Sequence, residues 1–235
     1  MVMTKSHDSM VTAMTERTTE SEQKVNLPHD GMIGEYRDAY TSNGGDSGYY
    51  PGGIYQYTKG VFVPNDWQDK HVFLMLEGIQ GLATITINGI YVQHAYNPYT
   101  DTQLLLDDYF TYDANNHIEI MVNNAMEQNS RWYTGSGIYR DVSLWLSEKT
   151  YIPLDGLRVK TLDCSTQLAT LAFDVNIIND CSKRQLQLEY VMYNDKNENV
   201  LSRSVSIIMT QRSREKIHQK VYIQQPHLWN DENPY

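Results

Sequence analysis

Residues 82–92, LATITINGIYV, decide the fold class. Side chains alternate with a period of two along an extended chain, so Ala83, Ile85 and Ile87 share one face and Thr84 and Thr86 take the other. Asn88-Gly89 then supplies two residues that tolerate positive φ, which a two-residue hairpin turn requires. Outward from this hairpin the same alternation recurs. HIEIMV (117–122) puts Ile118, Ile120 and Val122 on one face, and RDVSLWL (140–146) does the same with Val142, Leu144 and Leu146. HVFLMLEG (71–78) is apolar on both faces, as expected of a central strand in a sandwich. Helical periodicity is almost absent.

A second series follows Pro153. LRVKTL (157–162), LATLAFDVNII (168–178), LQLEYVMY (186–193), SVSIIM (204–209) and IHQKVYI (217–223) are strands of similar length. Turns such as NDCSKRQ and YNDKNEN separate them. Five short strands in this space suggest an immunoglobulin-like sandwich without the paired cysteines and core tryptophan of an antibody domain. The boundary between the two series falls at 148–153. The tail QQPHLWNDENPY (224–235) breaks the alternation and reads as a connector running on into another domain.

Composition removes several functions. The formal charge is −10, with 29 acids against 19 bases and no basic cluster, which argues against nucleic acid. No apolar run reaches membrane-spanning length, which argues against a membrane partner. Residues 1–24 are polar, lack the apolar core of a signal peptide and read as disordered. The 11 residues of 168–178 extend over roughly 30 Å at about 3.3 Å each. A disulfide needs α-carbons within about 7 Å, so Cys164 and Cys181, flanking that strand, are expected to be unbonded. Neither they nor the scattered histidines form a metal site, and no cofactor is expected. Asp107-Asp108 are neighbours on an extended chain and face opposite ways; they read as surface acids rather than a catalytic pair.

Three stretches carry a family resemblance: VNLPHD (25–30), the run from SGYYPGGIYQYTKG to ATITINGIYV (47–92), and NSRWYTGSGIYRDVSLWL (129–146). Together they resemble the front of glycoside hydrolase family 2, on the β-galactosidase side, over 25–235. The resemblance implies an all-β architecture: a jelly-roll, galactose-binding-like sandwich over 25–150, an immunoglobulin-like sandwich over 151–224, and a connector over 225–235 leading to a missing catalytic barrel. It places both catalytic glutamates beyond 235, so no catalytic residue is assigned here. It implies a β-galactoside-like carbohydrate as partner in the full-length enzyme, allows a homo-oligomer, and leaves location open, since relatives are cytoplasmic, periplasmic or secreted. The competing reading is a stand-alone carbohydrate-binding or structural sandwich without activity.

The resemblance also names a substrate-facing loop. Arg131 offers a rigid fork of donors to sugar hydroxyls, and Asn129 a donor and an acceptor together. Trp132 and Tyr133 offer faces on which a sugar ring can stack. An ion pair for Arg131, a turn role for Asn129 and packing for the aromatics stand as alternatives. Gly135 and Gly137 let the loop turn, Arg140 and Asp141 read as a structural pair, and Tyr49 and Tyr50 beside the Pro51-Gly52-Gly53 turn lie near the expected rim. Ser136 lacks the context of a hydrolase elbow.

Overall fold

The computed structural model describes residues 4–10, 13–17, 22–41, 44–125 and 132–232, and the chain divides into two compact units, Thr4–Leu146 and a second beginning at Ser147. The first holds β1 (Thr4–Met10), β2 (Ala13–Arg17), β3 (Glu22–Asn26), β4 (Ile54–Val63), β5 (Lys70–Leu76), β6 (Leu82–Ile87), β7 (Ile90–Ala95), β8 (Thr102–Leu105), β9 (Ala114–Asn123) and most of β10 (Val142–Glu148). Six strands form one sheet in the order β3-β2-β4-β9-β6-β7, and four form the other, β1-β10-β5-β8. The described helices are 3-10 turns of three or four residues at Met32–Gly34, Gly44–Ser47 and Asn65–Trp67.

The core lies between these sheets and comes from the alternating positions. Ala83, Ile85, Ile87, Ile118, Ile120 and Val122 are all fully buried, together with Tyr55, Tyr57, Leu74 and Leu144. Each buried Ile, Leu or Val side chain contributes on the order of 1.5–3 kcal/mol. β5 is buried on both faces from His71 to Leu76, as its unbroken apolar run requires.

The Asn88-Gly89 turn is a two-residue loop with φ of 53° and 78°, and Ile87 faces Ile90 across it. Asn88 also fastens the hairpin tip. Its amide donates to Tyr109 O and to Asn116 Oδ1, and its oxygen accepts from His117 N at 2.8 Å. Asp107 is not a free surface acid: its carboxylate accepts from Val72 N at 2.9 Å and meets His71 Nδ1 at 2.7 Å, pinning the loop after β8 to β5.

Of residues 1–24, expected to be disordered, the described residues 4–10, 13–17 and 22–24 lie in strands. β1 pairs with β10, and β2 lies between β3 and β4. Edge and near-edge strands are held by backbone hydrogen bonds to an existing sheet, which composition does not reveal.

The second unit holds β11 (Thr150–Tyr151), β12 (Leu157–Cys164), β13 (Leu168–Asn179), β14 (Arg184–Tyr193), β15 (Asn199–Met209) and β16 (Ser213–Gln224). β13 is the spine of one sheet, pairing with β11 and β12 along one edge and with β16 along its full length on the other. β14 and β15 pair with each other as the second sheet. Phe173, Val175, Ile177, Tyr190, Met209 and Val221 form the core of this immunoglobulin-like sandwich. Cys164 and Cys181 lie beyond opposite ends of the 168–178 stretch and are unbonded.

Candidate functional site

Three loops meet at one end of the first sandwich because β4 begins there and β9 ends there. Asn124 N donates to Gly53 O at 2.9 Å, continuing the ladder past both strands. Gly52, at φ 69°, passes so close that a Cβ would lie 2.8 Å from Asn124 O, so no other residue fits without displacing backbone. Residues 29–31 then pair with 136–138: His29 N donates to Ile138 O at 2.7 Å and Gly31 N to Ser136 O at 2.8 Å. Gln80 and Gly137 exchange both backbone bonds.

Asp30 is the hub. Its Oδ1 accepts from Ser136 N at 2.9 Å and Met32 N at 3.1 Å, and its Oδ2 accepts from the Tyr133 hydroxyl at 2.5 Å. Gly135 must be glycine twice over, since its φ is 72° and a Cβ would sit 2.7 Å from Asp30 Oδ2. Gly137, at φ 124°, leaves room for the Tyr57 hydroxyl. Beneath the loop the Tyr55 hydroxyl donates to Glu35 Oε1 at 2.6 Å, and the Tyr57 hydroxyl meets His29 Nδ1 at 3.0 Å.

Burial, and next the hydrogen bond to Glu35, push the Tyr55 phenol well above its ordinary pKa. Partial burial, and next Asp30, do the same for Tyr133. Both phenols stay protonated and act as donors to carboxylates. The Tyr133 ring meets Tyr50 edge to face at 5.4 Å, and the Arg37 guanidinium lies 5.2 Å from the Tyr50 ring centre.

Among the residues expected to face substrate, Trp132 is 63% exposed with its ring open to solvent. Tyr133 is committed to Asp30. Asn129 and Arg131 lie outside the described residues. Tyr49 is exposed at φ 67° beside the same loops. Ser136 is buried and gives its N–H to Asp30, so its hydroxyl is not presented as a nucleophile. Arg140 is not paired with Asp141: its guanidinium lies 5.4 Å from the Tyr139 ring centre, while Asp141 O accepts from Glu77 N. Nothing in the sequence alone singles out Asp30, the last residue of VNLPHD. An aspartate there carries no signal of its own until the fold brings residue 136 to it.

Residues 6–150 match the family model described as "Glycosyl hydrolase 2 galactose-binding domain-like". The chain is 27% identical over 215 residues to "Beta-galactosidase BoGH2A" of Bacteroides ovatus, covering 90% of this chain and 25% of that protein. It is 26% identical over 229 residues to a β-glucuronidase of Bacteroides fragilis, covering 91% of this chain and 31% of that one. In structure it is similar to a family 2 member from Bacteroides cellulosilyticus, with a TM-score of 0.87 at 24% identity, over 97% of this chain and 32% of that chain. These 235 residues thus span about a quarter to a third of the relatives they match. With two all-β sandwiches in series and the family's own domain over 6–150, the chain belongs to glycoside hydrolase family 2.

Proposed function

We propose that these residues are the non-catalytic front of a longer, retaining β-galactosidase-like enzyme, and that the loop over 129–137 forms part of its sugar site. The observation that carries this reading is the loop's construction. Three hydrogen bonds to one carboxylate and two obligatory glycines fix 133–137, while Trp132 at its edge is left facing solvent. A rigid base with an exposed aromatic suits stacking on a sugar ring. Retaining hydrolysis needs two carboxyl groups about 5 Å apart with free oxygens for the sugar. The carboxylates at this loop, Asp30 and Glu35, are instead engaged by phenols, so the chemistry belongs to another part of the polypeptide. Arg131, two bonds of chain before the fixed segment, donates to a sugar hydroxyl.

The test is Arg131→Ala in the longer polypeptide. A hydrogen bond involving a charged group contributes about 1.5–3 kcal/mol, so kcat/KM for a nitrophenyl β-galactoside falls about ten- to a hundredfold with the melting temperature nearly unchanged. Normal kinetics with a large drop in melting temperature would assign Arg131 to a structural ion pair. Preference for the β-glucuronide over the galactoside would change the sugar assigned.

A further inference from the structure

The larger sheet of the second sandwich gives one face to the core and the other to solvent. Directly paired residues of neighbouring strands share a face, so the register identifies the outer one. Along β16, Lys216, His218 and Lys220 pair with Asn176, Asp174 and Ala172 of β13, and Arg214 precedes them in the same row. From the other side, Arg158 and Lys160 of β12 pair with Asp174 and Ala172. The alternate residues of β13, Phe173, Val175 and Ile177, form the core, so this set points outward. All five arginines and lysines are exposed, as is His218. No two of the five adjoin in sequence; three aligned strands bring them together.

Two carboxylates share the face. Asp174 meets His218 Nδ1 at 2.7 Å and lies 3.9 Å from Lys216 Nζ. The hydrogen bond with His218, and then the charges of Lys216 and Lys160, hold its carboxyl below the usual range. Asp163 pairs with Thr170 at the far end. Among the described residues no carboxylate lies within ion-pair distance of Arg158, Lys160, Arg214 or Lys220. Five fixed positive charges thus meet two negative ones, on a chain whose formal charge is −10. Cations gathered on one face repel one another and raise the local concentration of anions.

We propose that this face binds an anionic glycan, a chain of sugars bearing carboxylate or sulfate groups. The length of the row argues for a polymer. Lys216 and Lys220 are four residues apart on an extended strand, about 13 Å, so their charges suit anions on successive units rather than one small ion. Tyr222 continues the row and is 57% exposed, offering a ring to the apolar face of a sugar. The width of the face argues for a thin chain, since three strands span only about 10 Å. Outside it remain 27 of the 29 acids and 14 of the 19 bases, a surface that repels a broader polyanion such as duplex nucleic acid. The choice of a glycan rests on membership of a glycoside hydrolase family, and not on the role proposed for Arg131.

Titration calorimetry of the 235-residue chain with polygalacturonate and with chondroitin sulfate, at low ionic strength, tests this. We expect at least one to bind, which also tells carboxylate from sulfate, and added salt to weaken the binding. Lys216→Gln combined with Lys220→Gln removes two charged contacts and weakens it at least about tenfold. Lys183→Gln combined with Lys196→Gln removes the same charge from exposed turns off this face, and leaves the affinity nearly unchanged. Binding of neither polymer overturns the proposal, as do equal losses from the two double variants. Neutral galactan bound as tightly as the acidic polymers also overturns it. Duplex DNA bound more tightly than either glycan overturns it and assigns the face to nucleic acid. The longer natural polypeptide must bind likewise, and a failure there would show the face covered and the proposal wrong. Hydrolysis of a nitrophenyl β-galactoside is read separately and bears on the proposed function alone.

Discussion

Asp30 decides more than any other side chain described here. Its two oxygens receive two backbone N–H groups and a phenol. In Asp30→Asn one oxygen becomes an NH2, which cannot accept, so at least one of these donors loses its partner. Stranding a part-buried donor costs about 1–3 kcal/mol, or about 3–8 °C in the melting temperature of this unit. Tyr133→Phe removes one donor and leaves the freed oxygen near solvent, so its loss is smaller. Equal melting temperatures for Asp30→Asn and the parent would show that the carboxylate does not hold the loop. The paired histidine at Asp174 offers a contrast. Hydrogen bonding from His218, aided by the charge of Lys216, holds Asp174 below its usual pKa. A lowered carboxylate pKa means a contribution present above its ordinary value and lost as pH falls through the lowered one. At this exposed site screening keeps it small.

At the scale of the element, the hairpin at 82–95 shows what sequence carries and what it hides. Alternation and the Asn-Gly pair together specify two strands, the turn between them and the buried face, and Ile85 and Ile87 sit where the pattern puts them. The bonds from the Asn88 side chain to Tyr109, Asn116 and His117 have no sequence signature, because the partners are 21 to 29 residues away. The two turn residues are therefore unequal. Gly89→Ala meets no atom within 4 Å and suffers only its φ of 78°, a cost of about 1–2 kcal/mol. Asn88→Ala adds no Cβ that Asn88 lacks, but it leaves Tyr109 O, Asn116 Oδ1 and His117 N each short of a partner, a cost of about 2–3 kcal/mol. Urea midpoints rank them directly, and an Asn88→Ala variant as stable as the parent would mean that the side-chain bonds contribute nothing. Residues 4–10 and 13–17 carry no such signal: β1 and β2 pair with the backbones of β10 and β4, and a backbone partner leaves no trace in composition.

For the whole molecule, two β-sandwiches in series were legible because alternation, turn residues and motif spacing agree over most of the chain. The candidate site was legible as a loop and not as a mechanism: NSRWYTGSG located it, whereas the carboxylate that organises it lies more than a hundred residues away in VNLPHD. In the proposed function the chain supports a glycosidase active site that lies elsewhere in the polypeptide. The most direct test is hydrolysis of nitrophenyl β-galactoside by the purified 235-residue chain, measured beside the longer natural polypeptide. Double displacement requires a nucleophile and an acid/base, so turnover is expected from the longer polypeptide and only background from the 235 residues. Turnover by the 235-residue chain that survives repurification would contradict the claim and reveal a catalytic pair within it.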